Sequence, residues 1–267
     1  MDWFTEDLDC GVTQSIRIDE EIYSGSSDYQ SIHIFRNDLL GRVLVLDGAV
    51  QVTELDEHIY AEMMVHVPLL SHPDPRNVLI IGGGDGTCLR EAVKHSSVER
   101  AMLVELDGQL IALCKTHLSE IACGSFGHEK AVVHIGDGFE FVRDTDMAFD
   151  VIIVDSTDPE GPSEPLFTRE FYRGCKKALS EGGILIAQAG NLMYQDDFGP
   201  LIGNHFSSLF ALHGYYQATV PSYIGGLHAF AWGSDKANLT EPAFRKAEFP
   251  TRYYSGDARQ AAFLLPV

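Results

Sequence analysis

Apolar positions change rhythm twice along the chain. Ser31-Ile32-His33-Ile34-Phe35 alternates with a strand's two-residue period, and Arg42-Val43-Leu44-Val45-Leu46 runs through Asp47-Gly48 into Ala49-Val50-Gln51-Val52-Thr53. An Asp-Gly pair between two apolar runs suits a tight hairpin turn, so a small antiparallel β domain is expected over residues 1–55. From Glu57 to Val67 the period lengthens to that of a helix, with Ile59, Met63 and Val67 on one face and Pro68 near its end. Beyond Pro75 strands are expected at 78–81, 101–105, 131–135, 150–155 and 184–188, with helices between them, such as 110–118 and 168–179. Strands alternating with helices predict an α/β domain over residues 56–267, built on a doubly wound parallel sheet.

Such a sheet binds ligands at the carboxyl ends of its strands. Gly82-Gly83-Gly84-Asp85-Gly86-Thr87, Glu105, Asp137-Gly138 and Asp155-Ser156-Thr157-Asp158 all fall there, so four adjacent strand ends carry an acidic residue. Glycines such as Gly82 and Gly84 let the backbone turn tightly and approach a ligand, unless they merely build a turn. Glu105 suits a ribose diol. A dinucleotide fits less well, because the third glycine of that fingerprint falls on Thr87 and Asp85 would face a pyrophosphate, so a nucleoside is favoured. Asp137-Gly138 offers a carboxylate and an N–H to an adenine edge, or else a helix cap. Asp155 and Asp158 arrive from a fully apolar strand onto a loop broken by Pro159, Gly161 and Pro162, with no immediate helix to cap. Carboxylates held close need a cation or a shared proton, so with Asp85 they suit an ammonium group or a polyamine.

The formal net charge of -20, from 39 acids against 19 bases, makes nucleic acid and anionic membranes poor partners and a cationic substrate easier to accept. Apolar runs are only strand-length, which argues against a membrane span. Cys10, Cys88, Cys114, Cys123 and Cys175 are odd in number and never spaced C-x-x-C, which fits a reduced, cytoplasmic setting without a disulfide framework or thiolate zinc site. His58, Glu62 and His66 recur every four residues and could bind a metal, but packing is the better reading without further ligands, and no metal is expected. Taken singly, Tyr60, Gln30 and Gln51 read as ordinary packing or surface residues.

Together these segments resemble the spermidine synthases, or polyamine aminopropyltransferases. The likeness runs from Trp3 to about Trp232 and resumes at Arg252-Tyr253-Tyr254 through Ala261-Ala262-Phe263. Its most specific stretches are Val45-Leu46-Asp47-Gly48, Thr53-Glu54 with Asp56-Glu57, residues 78–86 with Leu89-Arg90-Glu91, residues 155–159 with Gly161-Pro162 and Leu166-Phe167, and Pro221-Ser222-Tyr223. The resemblance implies a small N-terminal antiparallel β domain on a Rossmann-like domain of methyltransferase type, assembled as a homodimer or homotetramer. It implies decarboxylated S-adenosylmethionine as a co-substrate, no cofactor, and putrescine as the usual acceptor. By position, Gln30, Glu105, Asp137, Gly138 and Pro162 would hold the donor, with Gly82 and Gly84 in the loop beneath it. Asp85 and Asp158 would hold amino groups, Gln51 and Tyr223 would line the acceptor channel, and Asp155, assisted by Tyr60, would be the catalytic acid/base. Ala61 departs from the family pattern, where a histidine or glutamine is common, and so does Thr87, which replaces glycine or alanine.

In that chemistry the sulfonium donor's leaving group departs neutral and needs no acid, so the task is to align an unprotonated amine. A free amine near pKa 10 and an ordinary aspartate near 4 leave a gap of about 6 units, roughly 8 kcal/mol, so Asp155 is expected to bind the attacking end neutral and pass its proton on. Cadaverine, agmatine or a longer polyamine are alternative acceptors. A methyltransferase would share the fold and the Glu105 contact but would have to tolerate a methionine carboxylate among aspartates. A non-catalytic polyamine-binding protein would not need both Asp155 and Tyr60.

Overall fold

Asp47 and Gly48 both take left-handed backbone angles, φ 47° and 82°, the twist that a two-residue hairpin turn requires. The turn joins β5 (Gly41–Leu46) to β6 (Ala49–Thr53) in an antiparallel sheet completed by β3 (Glu20–Ser26) and β4 (Ser31–Asn37), in the order β3-β4-β5-β6. The computed structural model describes residues 2–8, 11–195 and 198–264. An additional hairpin, β1 (Asp2–Asp7) with β2 (Thr13–Ile18), covers one face of the sheet through Phe4, Ile16, Phe35, Val43 and Val50. The opposite face, Ile32, Ile34, Leu44, Leu46 and Val52, rests on Leu110, Cys114, Leu118 and Ile121 of the larger domain. Val45 pairs with Val50 and Leu44 with Val52, which leaves Gln51 as the extra residue of a β-bulge. Bulges re-aim side chains next to sites, and this one delivers Gln51 to a cavity wall.

The remaining strands are β7 (Asn77–Gly82), β8 (Arg100–Glu105), β9 (Ala131–Ile135), β10 (Phe149–Asp155), β11 (Leu179–Gln188), β12 (Leu212–Thr219) and β13 (Leu227–Ser234). They form one sheet in the order β12-β13-β11-β10-β7-β8-β9. The parallel sheet expected from the sequence is present from β11 to β9, but β13 lies antiparallel between β11 and β12. The eight helices among the described residues are α1 (Glu57–Ser71), α2 (Thr87–Val93), α3 (Gly108–His117), α4 (Ser119–Ala122), α5 (Gly138–Asp144), α6 (Arg169–Ala178), α7 (Phe198–Leu209) and α8 (Gly256–Ala262). None is long and apolar enough to cross a membrane.

Both faces of this sheet are covered, which is why its strands read as unbroken apolar runs. Val78 and Ile80 join one core cluster with Val151 and Ile153, while Leu79 and Ile81 join the other with Ile152 and Val154. Each such side chain contributes about 1.5–3 kcal/mol by burial, so β7 and β10 are rigid props for the loops at their ends. The helix expected to end near Pro68 continues one turn to Ser71. A proline so near the end loses only one helical hydrogen bond, and the fully buried Leu69 and Leu70 offset it.

His58, Glu62 and His66 do not converge. Glu62 accepts the backbone N–H groups of Arg252, Tyr253 and Tyr254, while His66 lies between Glu91 (3.1 Å) and His95 (3.0 Å). Cys88, Cys114 and Cys175 are buried free thiols and Cys123 is an exposed one; Cys10 lies outside the described residues.

Candidate active site

The ends of β10, β7, β8 and β11 meet the N-terminal sheet around a cavity of about 500 Å³. Its floor is the glycine loop. Gly82 has φ 81°, and a Cβ there would stand well inside contact distance of the Asp155 carbonyl oxygen, which instead accepts the Gly83 N–H at 2.8 Å. A Cβ on Gly84 would lie 3.0 Å from Glu105 Oε2 and 2.7 Å from Leu110 Cδ2, so only glycine leaves Glu105 its place. Asp85 follows on the cavity wall, its Oδ1 accepting the Thr87 N–H at 2.6 Å as α2 begins.

Glu105, buried at the end of β8, accepts the Asp107 N–H through Oε1 at 2.8 Å. Burial, helped by the charges of Asp107, Asp155 and Asp85, pushes its carboxyl up to about 7, against that hydrogen bond. Asp107 caps α3 and, through Oδ2, accepts from Ser27 (2.7 Å) and from the Gln30 side-chain amide (2.8 Å). Gln30 therefore stands beside Glu105 because one aspartate ties the two domains' loops together.

At the end of β10, Asp155 Oδ1 accepts the Tyr60 hydroxyl at 2.7 Å, while Oδ2 is buried without a partner. Burial and the nearby Asp85 charge push the Asp155 carboxyl up to about 6, while the Cys88 thiol and the Tyr60 hydroxyl pull the other way. Against an amine near pKa 10 the gap falls from about 6 units to about 4, roughly 5 kcal/mol, so Asp155 is a better proton acceptor than a solvated aspartate. Tyr60 is placed by Asp56 at the head of α1, which accepts from Thr53 Oγ1 (2.6 Å), Ser222 Oγ (2.9 Å) and the Ser222 N–H (2.7 Å). The same clamp sets Tyr223, whose hydroxyl donates to the Gln51 carbonyl at 2.7 Å and whose ring meets Tyr60 edge-on at 6.0 Å. The Gln51 side chain itself turns back to Ala49 O.

Asp158 is held by two side-chain amides, Gln188 (3.2 Å) to Oδ1 and Gln195 (2.7 Å) to Oδ2, and its carbonyl accepts from Ser163 Oγ. Opposite, Glu6 of β1 is buried in the cavity wall, accepting from Gln14 (2.7 Å) and the Val50 N–H (3.2 Å). Burial raises its carboxyl, the two hydrogen bonds oppose this, and the Asp158 charge adds to it. Asp85, Asp155, Asp158 and Glu6 thus surround one space with negative charge, and a cation entering it would be stabilised by all four.

Of the residues singled out from the sequence, Tyr60, Asp155, Asp85, Asp158, Gln51, Tyr223, Gln30, Glu105, Gly82 and Gly84 all line this cavity. Asp137, Gly138 and Pro162 do not. Asp137 is exposed beyond the edge strand β9 and caps α5 with Oδ1; Gly138 is buried against Ile81; Pro162 is the second residue of the 3₁₀ turn Gly161–Phe167. Glu6, Gln188, Gln195 and His228 were not foreseen. Glu6 shares the inward period of Phe4, and His228 that of Phe230, so an ionisable residue on an apolar strand face was the available signal. Gln188 was a polar residue at a strand end, the same cue that marks Glu105.

A family model described as spermine/spermidine synthase domain matches residues 57–242, and one described as spermidine synthase tetramerisation domain matches residues 2–54. Polyamine aminopropyltransferase 1 of Pseudomonas aeruginosa is 44% identical over 270 residues, covering 98% of this chain and 94% of that protein. A polyamine aminopropyltransferase of Klebsiella pneumoniae is 43% identical over 262 residues, 95% and 91% of the respective chains. A solved spermidine synthase in complex with the transition state analogue AdoDATO superposes with TM-score 0.95 at 39% identity, covering 99% of this chain and 92% of that one. The spermidine synthase of Thermotoga maritima superposes with TM-score 0.92 at 38% identity, covering 99% and 91%.

Proposed function

The chain belongs to the spermine/spermidine synthase family and is an aminopropyltransferase, and from that premise we propose that it moves the aminopropyl group of decarboxylated S-adenosylmethionine to putrescine, yielding spermidine and 5′-methylthioadenosine. The observation that carries this reading is the buried, unpartnered Asp155 Oδ2, with the diol-competent Glu105 on one side and the acidic Asp85 and Asp158 on the other.

The reaction asks four things of these residues. The ribose must be fixed so that the S–CH₂ carbon faces Asp155, and Glu105 and Gln30 do this. By the family's pattern Asp137, Gly138 and Pro162 close over the adenine, and Gly82 and Gly84 give the nucleoside its floor. The donor's own ammonium and the distal ammonium of the diamine need counter-charges, which Asp85 and Asp158 supply, with Gln51 and Tyr223 lining the path between. The attacking nitrogen must arrive unprotonated and in line. Asp155 accepts its proton, with the Tyr60 hydroxyl holding the carboxylate in aim. The nitrogen lone pair then forms the C–N bond as the C–S bond breaks, and the electron pair leaves with neutral sulfur.

We also infer a homo-oligomer, dimer or tetramer. The tetramerisation-domain match covers 2–54, and within it Trp3 and Leu39 stand 59% and 75% exposed, a costly display for an isolated monomer.

The test is to offer the purified protein decarboxylated S-adenosylmethionine with putrescine, cadaverine, agmatine or spermidine, and to separate the products. Stoichiometric methylthioadenosine and spermidine, with the highest kcat/KM for putrescine, is the expected outcome. No product with any amine would overturn the reading, and a better second amine would reassign the acceptor.

Donor affinity is expected to rise with pH up to about 7 and then level off. The sign follows from Glu105: burial raises its pKa to about 7 in the free protein, while diol hydroxyls donate to its charged form and lower it in the complex. Binding therefore releases a proton, and below pH 7 affinity falls by up to about tenfold per pH unit. Calorimetry of donor binding at pH 6, 7 and 8 checks this; an affinity that does not change with pH would contradict the Glu105 contact.

A further inference from the structure

We infer that His228 positions the acceptor, its uncharged imidazole taking one N–H of the attacking amine while Asp155 takes the other. The inference rests on the aminopropyl transfer proposed above.

An amine that attacks carbon must point its lone pair along the S–CH₂ axis. That leaves two N–H groups facing the protein in a site from which the substrates have displaced water, and each needs an acceptor. Two residues in contact with Tyr60 each carry a buried atom without a partner, Asp155 Oδ2 and His228 Nε2. Tyr60 bonds Asp155 through its hydroxyl and meets the His228 ring edge-on at 5.1 Å. His228 lines the same cavity, and its ring is caged by Tyr223 (5.2 Å) and Phe230 (5.4 Å). Neither cage residue engages the ring nitrogen: the Tyr223 hydroxyl is committed to Gln51 O, and Phe230 has none to offer. A histidine in a protein interior ordinarily finds a hydrogen-bond partner, so a cavity-lining ring whose buried Nε2 has none is matched to a partner that arrives with the ligand.

The identity of the residue suits this task. Burial pushes the imidazole down to about 3, so it stays neutral throughout the working range. A further carboxylate at this position would raise the amine pKa and keep the proton on the nucleophile; a neutral nitrogen accepts the N–H without that penalty. In the tautomer with the proton on Nδ1, Nε2 is the acceptor. His228 accepts a hydrogen bond only and neither gains nor loses a proton; the proton taken from the arriving amine goes to Asp155.

The experiment compares His228→Met, which fills the space without an acceptor, with His228→Gln, which restores one. Wild-type turnover is measured first, since its absence would refute the transfer reaction itself. With that in hand, His228→Met is expected to lower kcat/KM for the amine at least tenfold while leaving donor Kd within twofold, and His228→Gln to return to within threefold of wild type. A mere packing role predicts the reverse order, with Met tolerated and Gln damaging. His228→Met within twofold of wild type, or Gln no better than Met, overturns the inference and leaves the transfer reaction standing. A measurement on the unaltered protein guards against misfolded variants. With methylthioadenosine bound, adding putrescine should shift the ¹⁵N signal of His228 Nε2, and an unmoved signal is equally fatal to the idea.

Discussion

Asp155→Asn is expected to lower kcat by about 10³-fold, within the range that a positioned general base supplies, while donor affinity stays within a few-fold. Asparagine keeps the shape and can still accept the Tyr60 hydroxyl that now lies 2.7 Å from Oδ1. What it loses is the proton-accepting oxygen, and half of its amide is a donor turned toward an N–H. The wild-type carboxyl is raised to about 6 by burial and the Asp85 charge, closer to the pKa of the amine that the proposed reaction deprotonates. That value belongs to the empty cavity; the sulfonium and the ammonium each favour the carboxylate and draw it back down. Single-turnover measurements with saturating donor isolate the chemical step. A near-normal single-turnover rate in this variant would remove Asp155 from the catalytic role.

Gly82→Ala is expected to cost about 3 kcal/mol of stability, the sum of about 1–2 for a left-handed residue with a Cβ and a comparable amount for overpacking. The new methyl would press on the Asp155 carbonyl oxygen and on Ser156 Cα, both backbone, so no side chain can swing away to make room. The Gly83 N–H···O bond to Asp155 is the first casualty, and with it the spacing between β7 and β10 at the cavity floor. A matched pair of thermal melts and turnover assays checks this. Activity should fall at temperatures where the variant is still folded, because the displaced strand end carries Asp155. An unchanged melting temperature would show that the turn is slack.

The central sheet was legible because burial on both faces writes its strands as continuous apolar runs, Val78 to Ile81 and Val151 to Val154. The hairpin at Asp47-Gly48 was legible because few residue pairs accept two left-handed conformations in succession. The last two strands were hidden by different causes. Leu212–Thr219 mixes His213, Gly214 and Gln217 among its aromatics, and the reversal of β13 depends on partners distant in sequence. In the site, residues at strand ends could be found, since the ends are fixed once the strands are. Gln51 owes its place to a bulge that no two-residue alternation predicts, and here the likeness to a family supplied what pattern could not. Asp137, named as a nucleoside contact or a helix cap, caps α5.

The Glu6 wall has a consequence for how the protein comes into being. Its carboxylate is steadied by Gln14, whose amide also bonds Ser222 O, 208 positions further along the chain. The hairpin that encloses the far end of the cavity therefore leaves the ribosome long before the loop carrying Ser222, and cannot be locked down until that loop has emerged and docked. Loop closure over such a span comes late in folding. The glycine loop and Glu105 stand on neighbouring strand ends of one sheet, so that side of the cavity can form while the Glu6 side is still open.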